Sequence, residues 1–135
     1  MTFALDGPGL LASLDALARV GATPGGGCCR LAFTEADRQG RNLVTAWMRE
    51  AGLKVRTDAA GNVIGRREGR EAGPAVMTGS HIDTVGTGGR YDGNLGVLAG
   101  LELVRSLNRA GRTTRRALEV GFFSNEEGAR FSPDM

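Results

Sequence analysis

The chain has 135 residues, of which 41% are apolar and 24% charged, and its formal net charge is +2. This is the length and make-up of about one ordinary globular domain, and it excludes a collagen-like period, an internal repeat or a low-complexity tail. No apolar run approaches the roughly 18 residues of a membrane span, so no membrane partner is expected.

The basic residues are mostly arginines interleaved with acids. Their densest group, Arg112, Arg115 and Arg116, reads as a solvated turn, and without neighbouring aromatics it does not point to nucleic acid. Cys28 and Cys29 are adjacent, which disfavours a bond between them, and no second pair accompanies them. Free thiols and a cytoplasmic location are expected. The N-terminus shows no basic region followed by a long apolar run, so no signal peptide is read there.

In chain order, Leu10, Leu11, Leu14, Leu17 and Ala18 recur on one helical face, which predicts a helix to about Val20. Gly25-Gly26-Gly27 opens a loop. Thr34 is placed to cap a second helix, with Glu35 and Asp37 in its first turn. That helix buries Leu43, Val44, Trp47, Met48 and Ala51 and stops at Gly52. Residues 53–57 and 62–67 read as short strands joined at Ala60-Gly61, and 75–78 as a third strand running into Gly79-Ser80-His81. A glycine-rich loop continues to Gly93. Residues 95–107 form a helix apolar on more than one face, ended by Gly111, and 117–123 a buried strand that leads into Ser124-Asn125-Glu126-Glu127.

Strands alternating with helices predict an α/β fold, a mixed sheet with helices on its faces. Ligands of such sheets sit beyond the carboxyl ends of the strands. His81 and Glu126 both follow strands, so they are expected on the same rim.

His81 and Asp83 stand two apart, and in an extended segment they face the same way. Asp83 could then accept a proton from one imidazole nitrogen and leave the other for a metal; alone, such a pair is as readily structural. Asp92 precedes the helix and reads either as its cap or as a carboxylate shared between two cations. Gly88, Gly89 and Gly93 would let the backbone bend closely around it. Glu126 and Glu127 are either a solvated acidic pair or a divided one. In the second case one holds a cation and the other takes a proton from water, whose pKa a cation lowers towards about 7. The loop 86–91 fits neither the dinucleotide fingerprint nor a phosphate loop. No Gly-x-Ser-x-Gly elbow is present, and the chain has a single histidine.

Three segments carry a family resemblance: Gly79-Ser80-His81-Ile82-Asp83-Thr84-Val85, Gly88-Gly89-Arg90-Tyr91-Asp92-Gly93 and Asn125-Glu126-Glu127-Gly128-Ala129-Arg130-Phe131. They resemble the M20 metallopeptidase clan, and within it the hydantoinase/carbamoylase branch. That branch includes N-carbamoyl-L-amino-acid hydrolases, β-ureidopropionases and allantoate amidohydrolases. Residues 47–53 and 58–63 add to the likeness. The sequence departs from it at Gly86-Thr87, where relatives often have Pro-Asn, and at Cys28-Cys29, where they often have Val-Thr.

The resemblance implies a zinc-peptidase-like catalytic domain with two divalent metal ions, Zn or Mn, Co or Ni. His81 would bind one metal, Glu127 the other, and Asp92 would bridge them. Glu126 would be the catalytic base, and Asp83 would hold His81. The implied reaction is hydrolysis of an amide or ureido C–N bond in a small molecule, with aminopeptidases, dipeptidases and deacylases of the clan, or a non-catalytic remnant, as the alternatives. Family members are longer than this chain. Residues 1–135 are therefore expected to be the N-terminal part of the catalytic domain, ahead of a lid/dimerisation domain. Two more ligand histidines and the homodimer contact would lie downstream, so the isolated chain is expected to be inactive.

Overall fold

The computed structural model describes residues 3–132; the ends of the expected domain, 1–2 and 133–135, lie outside them. Helix α1 (Gly7–Ala18) starts where the Asp6 carboxylate accepts the Gly9 N–H. Leu14, Leu17 and Ala18 are buried, whereas Leu11, at the margin of the predicted stripe, stays 56% exposed. Helix α2 (Glu35–Glu50) is capped as its sequence predicts. Thr34 Oγ1 accepts from the Asp37 N–H, and the Asp37 carboxylate accepts in return from the Phe33 N–H. Gly52, in the left-handed region at φ 83°, ends it.

Strands β1 (Lys54–Thr57) and β2 (Val63–Arg67) form an antiparallel hairpin. Its turn is tied by Asp58, whose Oδ1 accepts from the Ala60 and Asn62 N–H groups. Strand β3 (Val76–His81) runs on past the predicted end at Thr78. Helix α3 (Asn94–Arg109) and strand β4 (Leu118–Phe123) complete the described elements. The sheet order is β1-β2-β4-β3, with β4 antiparallel to β2 and parallel to β3. Parallel neighbours need a long crossover, and α3 supplies it.

The register sets the faces. Val63 and Gly65 lie opposite Phe122 and Val120, which lie opposite Ser80 and Thr78. On this face Gly65 closes against Met48 and Leu53, and Gly100 against Thr78 and Val120. Helices α2 and α3 therefore cover the same face, and Leu14 and Leu17 of α1 join the same core. On the other face Glu119 pairs with Arg56 and Arg66. Among the described residues β3 is an edge strand, with Val76 55% and Met77 44% exposed. No helix among them is long and apolar enough to cross a membrane.

Leu101 is wholly buried where α3 meets the sheet. Leu101→Ala is expected to cost about 2–5 kcal/mol, read as a lower urea midpoint with an unchanged slope.

Candidate metal centre

The parallel register sets His81 level with Phe123, so the chain leaves β3 and β4 at one rim. After β4 it turns sharply through Asn125 (φ 56°). The Glu126 N–H donates to Asp83 Oδ1 at 3.3 Å and the Glu127 N–H to Asp83 Oδ2 at 3.2 Å. Both oxygens of one buried carboxylate thus fix the turn that carries the two glutamates. Ser124 anchors it from the far side, its N–H donating to Asn62 Oδ1 and its hydroxyl accepting from Arg41.

His81 is 5% exposed, and its ring is held differently from the expectation. The 2.9 Å partner of Nδ1 is the backbone carbonyl of Asp83, while the Asp83 carboxylate lies 3.8 Å away. The residue is the anticipated one but the atom is not, because the carboxylate is engaged by the glutamate turn. A carbonyl only accepts, so the neutral imidazole carries its proton on Nδ1 and leaves the Nε2 lone pair bare. Nε2 stands 3.3 Å from Glu126 Oε2 and 4.0 Å from Asp92 Oδ2.

Asp92 does not cap α3. The cap position is Gly93, and no side chain bonds the helix start. The Asp92 carboxylate is 75% exposed and faces the rim. One ligand atom from each of His81, Asp92 and Glu127 lies within 4.8 Å of the others. Burial pushes the Glu127 carboxyl above its ordinary range, and a hydrogen bond from its protonated form to Asp92, with the charges of Asp92 and Glu126, pushes the same way against the opposing pull of His81. No lysine or arginine among the described residues pairs with these three acids. An imidazole with a free lone pair and converging carboxylates fits a divalent cation by its donor chemistry.

One expectation about the loop changes. Gly88 and Gly93 are needed for close approach, whereas a side chain at Gly89 would meet open space. Gly93 is the critical one, at φ 68° with the His81 ring and carbonyl 2.5 Å from where its Cβ would stand. Arg30 is the residue near the site that the sequence does not announce. It sits in the aperiodic stretch before Thr34, yet it is wholly buried and bonds Ile82 and Asn94. Its only signal is an arginine set among small and apolar neighbours.

A mixed sheet with helices on its face and a rim of acids and one imidazole is the architecture of a peptidase-like hydrolase catalytic domain. Residues 62–131, more than half of the chain, match peptidase family M28, and the chain belongs to that family, as a hydrolase domain of the M28/M20 type. The chain is 49% identical over 128 residues to the N-carbamoyl-L-amino acid amidohydrolase of Geobacillus stearothermophilus, covering 94% of this chain and 31% of that one. It is 43% identical to the ureidoglycolate hydrolase of Oryza sativa subsp. japonica, covering 96% and 27%. A solved hydantoinase/carbamoylase family amidase from Burkholderia ambifaria superimposes with a TM-score of 0.96 at 52% identity, over 99% of this chain and 33% of the other. The chain spans about a third of the length of the relatives it matches.

Two outcomes follow from this geometry. Gly93→Ala is expected to lose at least about 1–2 kcal/mol from the left-handed backbone alone and to displace the His81 ring, seen as lower thermal stability together with a shifted imidazole resonance. Glu127→Gln is expected to stabilise the metal-free chain at neutral pH. A carboxyl whose folded pKa is raised holds its proton more tightly when folded, so the wild type loses stability as pH climbs from the ordinary 4.5 through the raised value. The glutamine does not titrate, so its advantage in melting temperature should vanish below the ordinary carboxyl pKa.

Proposed function

We propose that this chain contributes a metal centre for hydrolysis of ureido or amide C–N bonds in small molecules such as N-carbamoyl-L-amino acids. His81 and Glu127 would each hold one divalent ion, with the Asp92 carboxylate shared between the two. The convergence of three donors within 4.8 Å, with no lysine or arginine among the described residues paired with the acids, is the observation that carries this assignment. Zinc, manganese, cobalt or nickel suits such a donor set. When bound, the ions supply Lewis acidity, which lowers the pKa of water and polarises a carbonyl.

Glu126 is the proton carrier. Its carboxylate is 47% exposed, so water and substrate can reach it. It takes a proton as the water oxygen bonds to the carbonyl carbon, then gives that proton to the leaving nitrogen as the C–N bond breaks. Asp83 positions it, since both of its carboxylate oxygens hold the backbone of the glutamate turn. The proposal extends to two further histidine ligands and a homodimer contact in sequence outside these 135 residues. The match to a peptidase family makes dipeptides the second substrate class to assay.

The test uses the protein that carries this chain, with ammonia release from N-carbamoyl-L-amino acids and amino-acid release from dipeptides measured before and after chelation. Activity should disappear with the chelator and return with added metal; chelator-resistant turnover would overturn the assignment. Asp92→Ala should lose both metal equivalents after dialysis. Glu126→Gln should keep them and lower turnover by roughly 10²–10⁴-fold, whereas Glu127→Gln should weaken one site. Equal metal loss in both glutamate variants would refute the division of roles.

A further inference from the structure

Arg30 is 0% exposed. An arginine does not deprotonate in a protein, so its buried N–H groups need acceptors. No carboxylate among the described residues is within ion-pair distance of it; backbone carbonyls, one amide oxygen and the Cys28 sulfur, 3.4 Å from Nη1, take that place. Nε donates to the Ile82 carbonyl at 2.7 Å. Nη1 donates to the carbonyls of Leu17 at 3.0 Å and Val20 at 2.6 Å, and Nη2 to Asn94 Oδ1 at 3.0 Å.

These acceptors belong to three separate parts of the chain. Leu17 lies in the last turn of α1 and Val20 just beyond its Arg19 C-cap, so both carbonyls stand at the negative end of the helix dipole. Ile82 follows His81 directly. Asn94 opens α3 two residues after Asp92, and its Nδ2 donates onward to the Arg90 carbonyl at 3.1 Å. The Arg30 backbone adds a further clasp, its N–H donating to Thr84 Oγ1 at 2.7 Å and its carbonyl accepting the Thr84 N–H at 2.8 Å. The guanidinium is a rigid planar fork, and bonds at fixed angles to separate segments fix those segments relative to one another.

We propose that Arg30 is the positioning residue of the rim, its buried guanidinium tying the segment behind His81 to the helix start behind Asp92 and so setting the distance between the two. Among the described residues it makes no hydrogen bond to either side chain. The link to metal binding rests on the metal assignment above; the effect on His81 does not.

His81 is the only histidine in these 135 residues, and a His81→Gln variant identifies its ring-nitrogen NMR signals in the protein that carries this chain. In that protein, metal-free and at alkaline pH, the wild type should show the fixed tautomer with the proton on Nδ1. Arg30→Met, which keeps a long side chain but no donors, should shift the ring towards the mixed tautomers of a free imidazole. Asn94→Leu removes one arm of the fork and should do the same to a lesser degree, while Asn94→Asp, which keeps an acceptor for Nη2, should restore the wild-type signals. Leu107→Ala, a destabilised control at the far end of α3, should leave them unchanged. Zinc titration of the folded variants should give roughly 10–100-fold weaker binding for Arg30→Met and Asn94→Leu, with the control near wild type. Wild-type imidazole signals in a folded Arg30→Met chain would overturn the proposal; if that variant does not fold, wild-type signals in Asn94→Leu would do so. A wild type that binds no zinc would sink the metal assignment, and the imidazole signals would still decide the role of Arg30.

Discussion

The parallel pairing of β3 with β4 brings two chain segments, far apart in sequence, to one end of the sheet. An antiparallel pairing would send them to opposite ends and separate His81 from the glutamates by the length of a strand. Parallel pairing requires a crossover, and the crossover is α3, whose entry loop returns to the same end carrying Asp92. One topological choice therefore delivers His81, Asp92, Glu126 and Glu127 together. The core of Val97, Leu98, Leu101 and Val104 against Val120 and Phe122 holds that choice in place.

What the topology gathers, electrostatics resists. The acids at the rim stand close to one another with one imidazole and, among the described residues, no lysine or arginine paired with them, and burial together with the neighbouring Asp92 and Glu126 makes Glu127 hold its proton more tightly. The start of α3 offers some relief, because the positive end of a helix dipole lies beside Asp92. The remaining repulsion is the physical sense in which the rim is suited to a cation: binding one removes a repulsion that folding imposes. Asp83 is the exception among the acids. Two backbone N–H groups satisfy its carboxylate, so it shapes the site without adding to the crowding.

Much of the fold is legible in the sequence because periodicity and capping act locally. The Thr34 cap, the Gly52 stop, the hairpin at Asp58–Gly61 and every helix and strand appear within a few residues of their predicted limits. The cluster of His81, Asp92 and Glu127 could be anticipated because strand ends and glycine loops mark where such groups collect. Contacts fixed by long-range geometry could not. The spacing of His81 and Asp83 says that they are near, but not that the carbonyl takes the ring while the carboxylate takes the turn. Leu11 has the spacing of a core residue yet no covering surface. Glu102 sits among apolar positions of α3, and Arg109, Ser106 and the Asp6 N–H all engage its buried carboxylate, a role no local pattern announces.

Arg30 carries the same lesson further. Its bonds run to residues up to 64 positions away, and no local pattern encodes them. A hydrophobic contact at that place would hold the segments together but would not fix their angles, because apolar packing is non-directional. Hydrogen bonds from a planar fork do fix them. The apolar core thus sets which elements meet, and a small set of buried polar groups, Arg30, Asp83 and Asn94, sets how the loops between them are aimed. Among the described residues the ligand side chains make no hydrogen bond to α3 or the sheet, and the His81 ring is held by the Asp83 carbonyl, so their remaining donor atoms face the rim and one another.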